Sequence, residues 1–341
     1  MTKPLTGEPA LIEALARIFG AAPPEVVLGI GDDCAALDLG GPDYLLWTVD
    51  TLVEGVHFDL GYTTLRQLGR KSLAVNLSDV AAMGGTPRYT LLSLGWPKGR
   101  DPAGALELAE GLAELGREYG VAVIGGDSVA SGDGAAITIT VLGTVPKGEM
   151  LRRAGARGGD RILVTGPLGE AAAGLEVLKR RLTLEPALKE PLGQALLDPR
   201  PQLRAGRLLA SQRLASAMID LSDGVATDLY HVCRASGVGA RLAGAAIPVS
   251  PQVRAVARIL NQDPLDLALK GGEDYQLLFT SPPELAETLE SAFRQAGLPA
   301  PLSLGVIIPG DAVLLQTPEG GRDISGAGFN HFRLDRGGGS V

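Results

Sequence analysis

The segment Asn-Leu-Ser-Asp-Val-Ala-Ala-Met-Gly, residues 76–84, forms the last turns of a predicted helix in this 341-residue chain. Either Thr63 or Thr64 is suited to cap the start of the helix, because a threonine hydroxyl can accept a hydrogen bond from a first-turn N–H. The helix ends at Gly84-Gly85. Asp79 needs a compensating partner there, since the helix dipole disfavours a carboxylate near the C-terminus.

Strand and helix patterns alternate on both sides of residues 76–84. The chain is longer than one hydrophobic core usually fills, so we expect two domains of similar size. Because strands and helices mix in both halves, the predicted fold class is α/β or α+β. In the first half, strands are predicted at Leu45–Val49, Tyr89–Trp96, Val121–Ile124 and Ile137–Leu142, and helices at Glu8–Phe19 and from Pro102 to Tyr119.

A segment rich in glycine and arginine, Lys147–Asp160, divides the two halves. We place the domain boundary inside it, with one domain over residues 1–150, a second over residues 151–335, and a flexible tail at 336–341. In the second half, strands are predicted at Arg161–Thr165, Ala217–Asp220, Tyr275–Thr280 and Leu304–Ile308, and helices at Gly169–Arg181 and Val225–Ser236.

Composition excludes several classes of protein. The formal net charge is -8, which disfavours nucleic acid as a partner because that binding relies on a basic face. Cys34 and Cys233 lie far apart and match no metal-binding spacing, which favours two buried thiols in a reducing compartment. The sequence shows neither a signal peptide nor an apolar run long enough to span a bilayer, so we predict a cytoplasmic protein with no membrane partner.

The usual phosphate-binding motifs are missing from the sequence. There is no Gly-x-x-x-x-Gly-Lys-Ser/Thr run and no kinase-type glycine-rich loop with a catalytic His-Arg-Asp. Gly29-Ile30-Gly31 resembles the start of a dinucleotide fingerprint, but Asp32-Asp33 follows at the point where a pyrophosphate would approach. Two carboxylates there would repel the pyrophosphate, so the dinucleotide interpretation fails.

Aspartates at the ends of predicted elements offer another way to hold phosphates. Asp50 and Asp127 each end a predicted strand, and Asp220 and Asp223 lie where a strand meets a helix. Taken singly, each is explained as a turn or capping residue, and Asp32 is either a metal contact or a turn residue. Together they would repel by roughly 4 kcal/mol per pair at about 4 Å. Divalent cations with oxygen ligands, Mg²⁺ above all, would make such a cluster stable.

Seven motifs in this chain resemble the thiamine-monophosphate kinase family. They occur in the order found in that family and span about residues 28–333, nearly the whole chain. Each motif is short, but the set is specific. The motifs are Gly29-Ile30-Gly31-Asp32-Asp33, Val49-Asp50-Thr51, Glu54-Gly55-Val56-His57-Phe58, residues 76–84, Gly125-Gly126-Asp127, Ile219-Asp220-Leu221-Ser222-Asp223-Gly224 and Gly271-Gly272-Glu273-Asp274-Tyr275.

The resemblance implies a fold and an activity. Proteins of this superfamily, typified by aminoimidazole ribonucleotide synthetase, have two α/β domains. They usually form homodimers in which strands of the N-terminal domain build a barrel across the interface. The implied activity is the ATP-dependent phosphorylation of thiamine monophosphate to thiamine diphosphate, the last step of thiamine diphosphate biosynthesis, with several Mg²⁺ ions.

The resemblance also implies roles for individual residues. The expected Mg²⁺ ligands are Asp33, Asp50, Asp79, Asp127, Asp220 and Asp223, together with Thr48 and Val49. The expected ATP contacts are Gly126, Arg153 and Ser222, and the expected thiamine-phosphate contacts are His57, Glu273 and Phe329.

This chain departs from the family pattern at one ligand position. Thr48-Val49-Asp50 stands where the family often has Ser/Thr-Thr-Asp, so a hydroxyl is lost at Val49. Any metal contact there would use the backbone carbonyl, while Thr48 keeps its hydroxyl. We expect His231 and His331 to be structural.

The predicted mechanism is direct in-line transfer without a general base. The second pKa of a phosphate monoester is about 6, so the attacking oxygen is already largely deprotonated at neutral pH. Three alternatives stay open at this point. One is another ATP-using member of the same superfamily, the second is a metal-dependent phosphohydrolase, and the third is a sensor that binds ATP without turnover.

Overall fold

The first sheet carries most of the N-terminal half. The computed structural model describes residues 7–329, and this sheet has six strands in the order first, second, third, sixth, fourth, fifth. Neighbouring strands are antiparallel except the fourth and fifth, which are parallel. The strands are β1 (Val26–Leu28), β2 (Ala35–Leu37), β3 (Asp43–Val53), β4 (Thr86–Pro97), β5 (Ala122–Ser131) and β6 (Ala136–Pro146).

Two long helices cover one face of this sheet, α2 (Leu65–Ala82) and α3 (Ala103–Tyr119), while α1 (Glu8–Phe19) precedes β1. Thr64 and Gln67 form a capping box at the start of α2, which confirms one of the two predicted caps. The helices approach closely because Gly69 on α2 faces α3. A Cβ at that position would lie 1.9 Å from the carbonyl oxygen of Leu108.

The second sheet has seven strands and is mostly antiparallel. Its strands are β7 (Arg161–Val164), β8 (Ala217–Asp220), β9 (Gly239–Ala243), β10 (Leu277–Ser281), β11 (Leu302–Ile308), β12 (Val313–Thr317) and β13 (Gly320–Asp323), in the order β13-β12-β9-β11-β7-β10-β8. Seven helices accompany it: α4 (Glu170–Lys179), α5 (Pro186–Leu197), α6 (Leu203–Ser211), α7 (Val225–Ser236), α8 (Pro251–Leu260), α9 (Pro264–Lys270) and α10 (Ala286–Gln295).

The end of α2 joins the two sheets. Ala81 and Ala82 are fully buried in a core cluster with Met218 of β8 and Phe279 of β10. Gly206 on α6 allows this approach, because a Cβ there would lie 2.1 Å from the carbonyl oxygen of Ala81. The last turn of α2 therefore lies against the end of β8, and this contact brings Asp79 to the edge of the second sheet.

Three strand ends differ from the sequence-based expectation. Asp50 lies inside β3, because pairing with β6 continues as far as Val53. Asp127 lies inside β5, because pairing with β4 continues to Ser131. The prediction that these two aspartates end strands is wrong. Strand β10 begins after Tyr275, whose φ of 47 lies in the left-handed region and is incompatible with extended backbone.

Two earlier expectations concern residues outside the described range, namely the flexible tail at 336–341 and the structural role of His331. Within residues 7–329, no helix is both long and apolar enough to cross a bilayer.

Candidate active site

Three aspartates from distant parts of the chain meet between the two sheets. Asp33 lies in the loop after β1, Asp79 in the last turn of α2, and Asp220 at the end of β8. One carboxylate oxygen of each lies within 4.8 Å of the others. The contact between α2 and β8 brings Asp79 to Asp220, and the loop after β1 adds Asp33, so the geometry of the cluster depends on both sheets.

Neighbouring side chains hold each of these carboxylates in place. Thr48 Oγ1 donates to Asp79 Oδ2 at 2.5 Å, and Ser78 Oγ donates to Asp220 Oδ2 at 2.7 Å. The Arg153 guanidinium donates to Asp33 Oδ1 through Nε at 3.0 Å and through Nη2 at 2.5 Å. Among the described residues, the buried Asp33 Oδ2 has no hydrogen-bond partner. A buried oxygen of this kind is suited to a cation.

Burial and mutual repulsion shift the protonation of these carboxyls. Burial raises the pKa of Asp220 to about 8, with the charge of Asp33 adding to the effect. Burial also raises the pKa of Asp50 to about 6, helped by the charges of Asp33 and Asp223. The pKa of Asp79 lies well above its usual value for the same reasons, burial first and the charge of Asp50 second. Without a cation the cluster therefore binds protons, which a divalent cation would displace.

A cavity of about 600 Å³ extends from this cluster. Asp50, Asp79, Asp220 and Asp223 are among the residues that line it. Its other lining residues include Ser222, His57, Glu273, Tyr275 and Phe329, so one space joins the carboxylates to all three residues expected on the thiamine-phosphate side.

Asp127 lies apart from the cluster within the single chain. It is on the exposed edge strand β5 and shares a register row with Ser93, Thr138 and Thr51. Paired residues share a face, so this row lies on the face opposite Asp50. Three strand spacings separate Asp127 from Thr51, or about 14 Å.

Thr48 and Val49, which precede Asp50, lie on opposite faces of β3. Thr48 reaches the cluster through Asp79, whereas the side chain of Val49 is 59% exposed on the other face of β3. Gly126, next to Asp127, is required for the close approach of β5 to β4, because a Cβ there would lie 1.9 Å from Leu92 O.

The Arg153 guanidinium is paired with Asp33, so a metal ion bound by Asp33 would compete with it. Its side chain contacts Asp33, and its backbone N–H donates to both oxygens of Asp32 at 3.2 and 3.3 Å. Asp32 thus has a clear local partner, although burial and the charge of Asp33 still raise its pKa to about 6. A nucleotide phosphate would therefore compete with Asp33 for the guanidinium.

A local hydrogen bond fixes the ring of His57. Its Nδ1 accepts from the backbone N–H of Val53 at 3.1 Å, so the neutral ring carries its proton on Nε2. The loop itself is anchored by Glu54, which binds Arg100 through two hydrogen bonds of 2.9 Å and accepts from Ala135 N. His57 can therefore present an N–H donor to a ligand in the cavity.

Three residues that support the site were missed by the sequence analysis. Asp228 is buried in the first turn of α7 and accepts from the backbone N–H groups of Asp223 and Gly224 at 3.1 and 3.0 Å, which shapes that turn. Its place in a first helical turn, where carboxylates are favoured, was a signal that could have been used. No local pattern in the sequence marked the other two residues. Ser78 donates to Asp220, and the buried Lys71 pairs with Glu273 at 2.7 Å.

Comparison with known proteins shows which family this chain belongs to. Residues 31–145 match the family model of the AIR synthase related protein, N-terminal domain, and residues 157–316 match that of the C-terminal domain. The thiamine-monophosphate kinase of Salmonella typhimurium is 41% identical over 277 residues, which is 81% of this chain and 82% of that protein. This chain belongs to the thiamine-monophosphate kinase family.

Other members of the thiamine-monophosphate kinase family agree with this assignment. The Bacillus subtilis protein is 33% identical over 312 residues, which is 90% of this chain and 94% of its own length. A solved structure described as AaThiL complexed with AMPPCP and TMP superposes with a TM-score of 0.81 at 29% identity and covers 95% of this chain and 98% of that one. The crystal structure of the thiamine-monophosphate kinase from Stenotrophomonas maltophilia superposes with a TM-score of 0.74 at 34% identity. The match covers 89% of this chain and 94% of that one. The family and the two-domain fold inferred from the motifs are confirmed.

Proposed function

We propose that this chain is the kinase that phosphorylates thiamine monophosphate to thiamine diphosphate with ATP, the last step of thiamine diphosphate biosynthesis. The observation that carries the proposal is the single cavity that joins a carboxylate cluster to His57, Glu273 and Phe329. Relatives named for this activity match most of the chain, and one related structure was solved with AMPPCP and TMP. With divalent cations bound to the carboxylates, the cavity would accept a polyphosphate beside a small cationic aromatic compound.

The carboxylate cluster fits Mg²⁺. All of its donors are oxygens, its carboxyls bind protons more tightly than usual, and Asp33 Oδ2 is buried with no described partner. We propose Asp33, Asp79 and Asp220 as central ligands, with Asp50 and Asp223 beside them and Thr48 orienting Asp79. Bound Mg²⁺ would neutralise charge between the two reacting polyanions.

We propose that the residues of this chain bind and align the reactants without removing a proton. The phosphate of thiamine monophosphate attacks the γ-phosphorus of ATP as the bond to the bridging oxygen breaks, and ADP leaves with the electron pair. His57 Nε2 would donate to the acceptor phosphate, and Arg153 would turn from Asp33 to the triphosphate near Ser222. Phe329 would stack on the thiamine rings, and Glu273 would face their positive charge.

We propose that the protein acts as a homodimer. Strand β5 is almost wholly exposed, although Val123, Ile124 and Val129 are large and apolar. Across the same sheet, the apolar residues Trp47 and Tyr89 are also about half exposed. A paired edge would bury this surface and could build the expected barrel. Gly126 and Asp127 lie on this edge strand. The proposed contacts of Gly126 with ATP and of Asp127 with Mg²⁺ would therefore depend on where the dimer places β5.

We propose a domain division between residues 150 and 151, supported by the separate sheets on either side of it. We also propose a cytoplasmic location, supported by the use of ATP and by two free buried cysteines.

The test of this function is ADP release from ATP and Mg²⁺ with and without thiamine monophosphate, together with identification of the thiamine product. We expect ADP release to require thiamine monophosphate and to match thiamine diphosphate mole for mole. Equal ADP release without the acceptor would instead indicate a phosphohydrolase. Binding of ATP without any turnover would indicate a sensor.

A further inference from the structure

Lys71 is a buried cation that pairs with Glu273, one of the residues that line the cavity. Its side chain is 3% exposed, and its Nζ lies 2.7 Å from Glu273 Oε1. Burying an ammonium group costs several kcal/mol unless a charged partner compensates. The Glu273 carboxylate supplies that partner, so the two side chains are held together more firmly than a surface ion pair.

The position of Lys71 on α2 relates it to the carboxylate cluster. Lys71, Val75 and Asp79 are spaced four residues apart and lie along one face of the helix, and both Val75 and Asp79 line the cavity. Eight residues of helix span about 12 Å. One face of α2 thus carries the Asp79 carboxylate and, about two helical turns away, the Lys71 ammonium that pairs with the Glu273 carboxylate.

The backbone of Glu273 is held by residues other than Lys71. Its φ of 68 is unusual for a residue with a side chain, and its N–H donates to Ser222 O at 2.8 Å. The next residue, Asp274, is anchored to the start of α4, where it accepts from Gly169 N at 2.7 Å. The backbone is therefore fixed by the segments that follow β8 and precede α4, while Lys71 of α2 holds the carboxylate.

We infer that Lys71 is a positioning residue for the thiamine ring, which acts by orienting the Glu273 carboxylate. This inference rests on the proposed function. One carboxylate oxygen is bound by Lys71, which leaves the other to face the cationic ring in the cavity. The charge of Lys71 by itself would repel that ring, so a benefit from Lys71 must come through Glu273.

A double-mutant cycle tests the inference, with Lys71→Met, Glu273→Gln and the double variant measured against the unmodified chain. We expect Lys71→Met to raise the KM for thiamine monophosphate about tenfold, as for a loss of 1.4 kcal/mol, with kcat and the KM for ATP little changed. In the Glu273→Gln background the same substitution should change the KM for thiamine monophosphate little. Lys71→Arg, which keeps the charge, should recover part of the loss.

Other outcomes would overturn the inference. A KM for thiamine monophosphate that is unchanged or lowered in Lys71→Met would show that Lys71 only repels the ring or does nothing. Equal effects of Lys71→Met with and without Glu273 would show that it does not act through that carboxylate. If Lys71→Met does not fold, the same cycle is measured with Lys71→Gln, which also removes the charge, and the same outcomes decide it. Thiamine diphosphate formation by the unmodified chain tests the proposed function separately.

Discussion

Replacing Asp79 with asparagine should lower kcat by at least about a thousandfold, because a metal ligand contributes several kcal/mol to the transition state and each 1.4 kcal/mol is tenfold in rate. Asparagine keeps the shape of the side chain and an oxygen that can accept from Thr48 Oγ1, which lies 2.5 Å from Asp79 Oδ2. Since asparagine resembles the protonated carboxyl that burial and the charge of Asp50 favour at this position, the fold should survive. Steady-state kinetics and thermal unfolding of the variant measure both effects.

Asp311→Asn is the matched control for this substitution. Asp311 is an exposed turn residue outside the cavity, so the same chemical change there should leave kcat and the melting temperature unaltered. Turnover by Asp79→Asn close to that of the control would remove Asp79 from the mechanism. A large loss of melting temperature in Asp79→Asn would show that the carboxylate supports the fold instead.

Mg²⁺ without nucleotide should raise the melting temperature more at pH 8 than at pH 6. The folded-state pKa values of Asp50 and Asp220 are raised to about 6 and about 8 from an ordinary value of 3.8. The folded state therefore binds these protons more tightly than the unfolded state does. Their contribution to stability is fully present below about pH 3.8 and is lost as pH rises through about 6 and about 8. Mg²⁺ replaces the lost protons, so its stabilising effect grows over that range.

Thermal unfolding at both pH values, with and without Mg²⁺ at matched ionic strength, measures this effect. Asp79→Asn should show a smaller shift with Mg²⁺ than the unmodified chain, while Asp311→Asn should show the full shift. A shift that is absent, or that is larger at pH 6 than at pH 8, would contradict a preformed carboxylate site for divalent cations.

Local sequence patterns predicted those helices and strands whose ends and apolar residues are marked in the sequence itself. The capping residue Thr64 and the helices α1 and α7 have capping chemistry or helical periodicity that can be read directly, and strand β8 is a short apolar run that ends at Asp220. Strand lengths were harder to predict from the sequence. The extent of β3 is set by its pairing with β6, and that of β5 by its pairing with β4, rather than by local composition. This is why Asp50 and Asp127 were placed at strand ends.

The candidate site followed from the motifs, but its internal partners did not. A sequence shows that Asp33, Asp79 and Asp220 are acidic, and it does not show that the contact between α2 and β8 brings them together. Neither the contact of Arg153 with Asp33 nor the pairing of Lys71 with Glu273 has a local pattern, since each joins residues more than a hundred positions apart. Such pairs become visible only when both sheets are in place.

Anomalous diffraction from crystals grown with Mn²⁺ and a non-hydrolysable ATP analogue tests the central claim most directly. Mn²⁺ takes the oxygen ligands that Mg²⁺ uses and scatters strongly enough to be located. The account predicts an anomalous peak among the carboxylates of Asp33, Asp79 and Asp220, with the Arg153 guanidinium moved away from Asp33. Peaks only at other positions, with Arg153 still bound to Asp33, would contradict it.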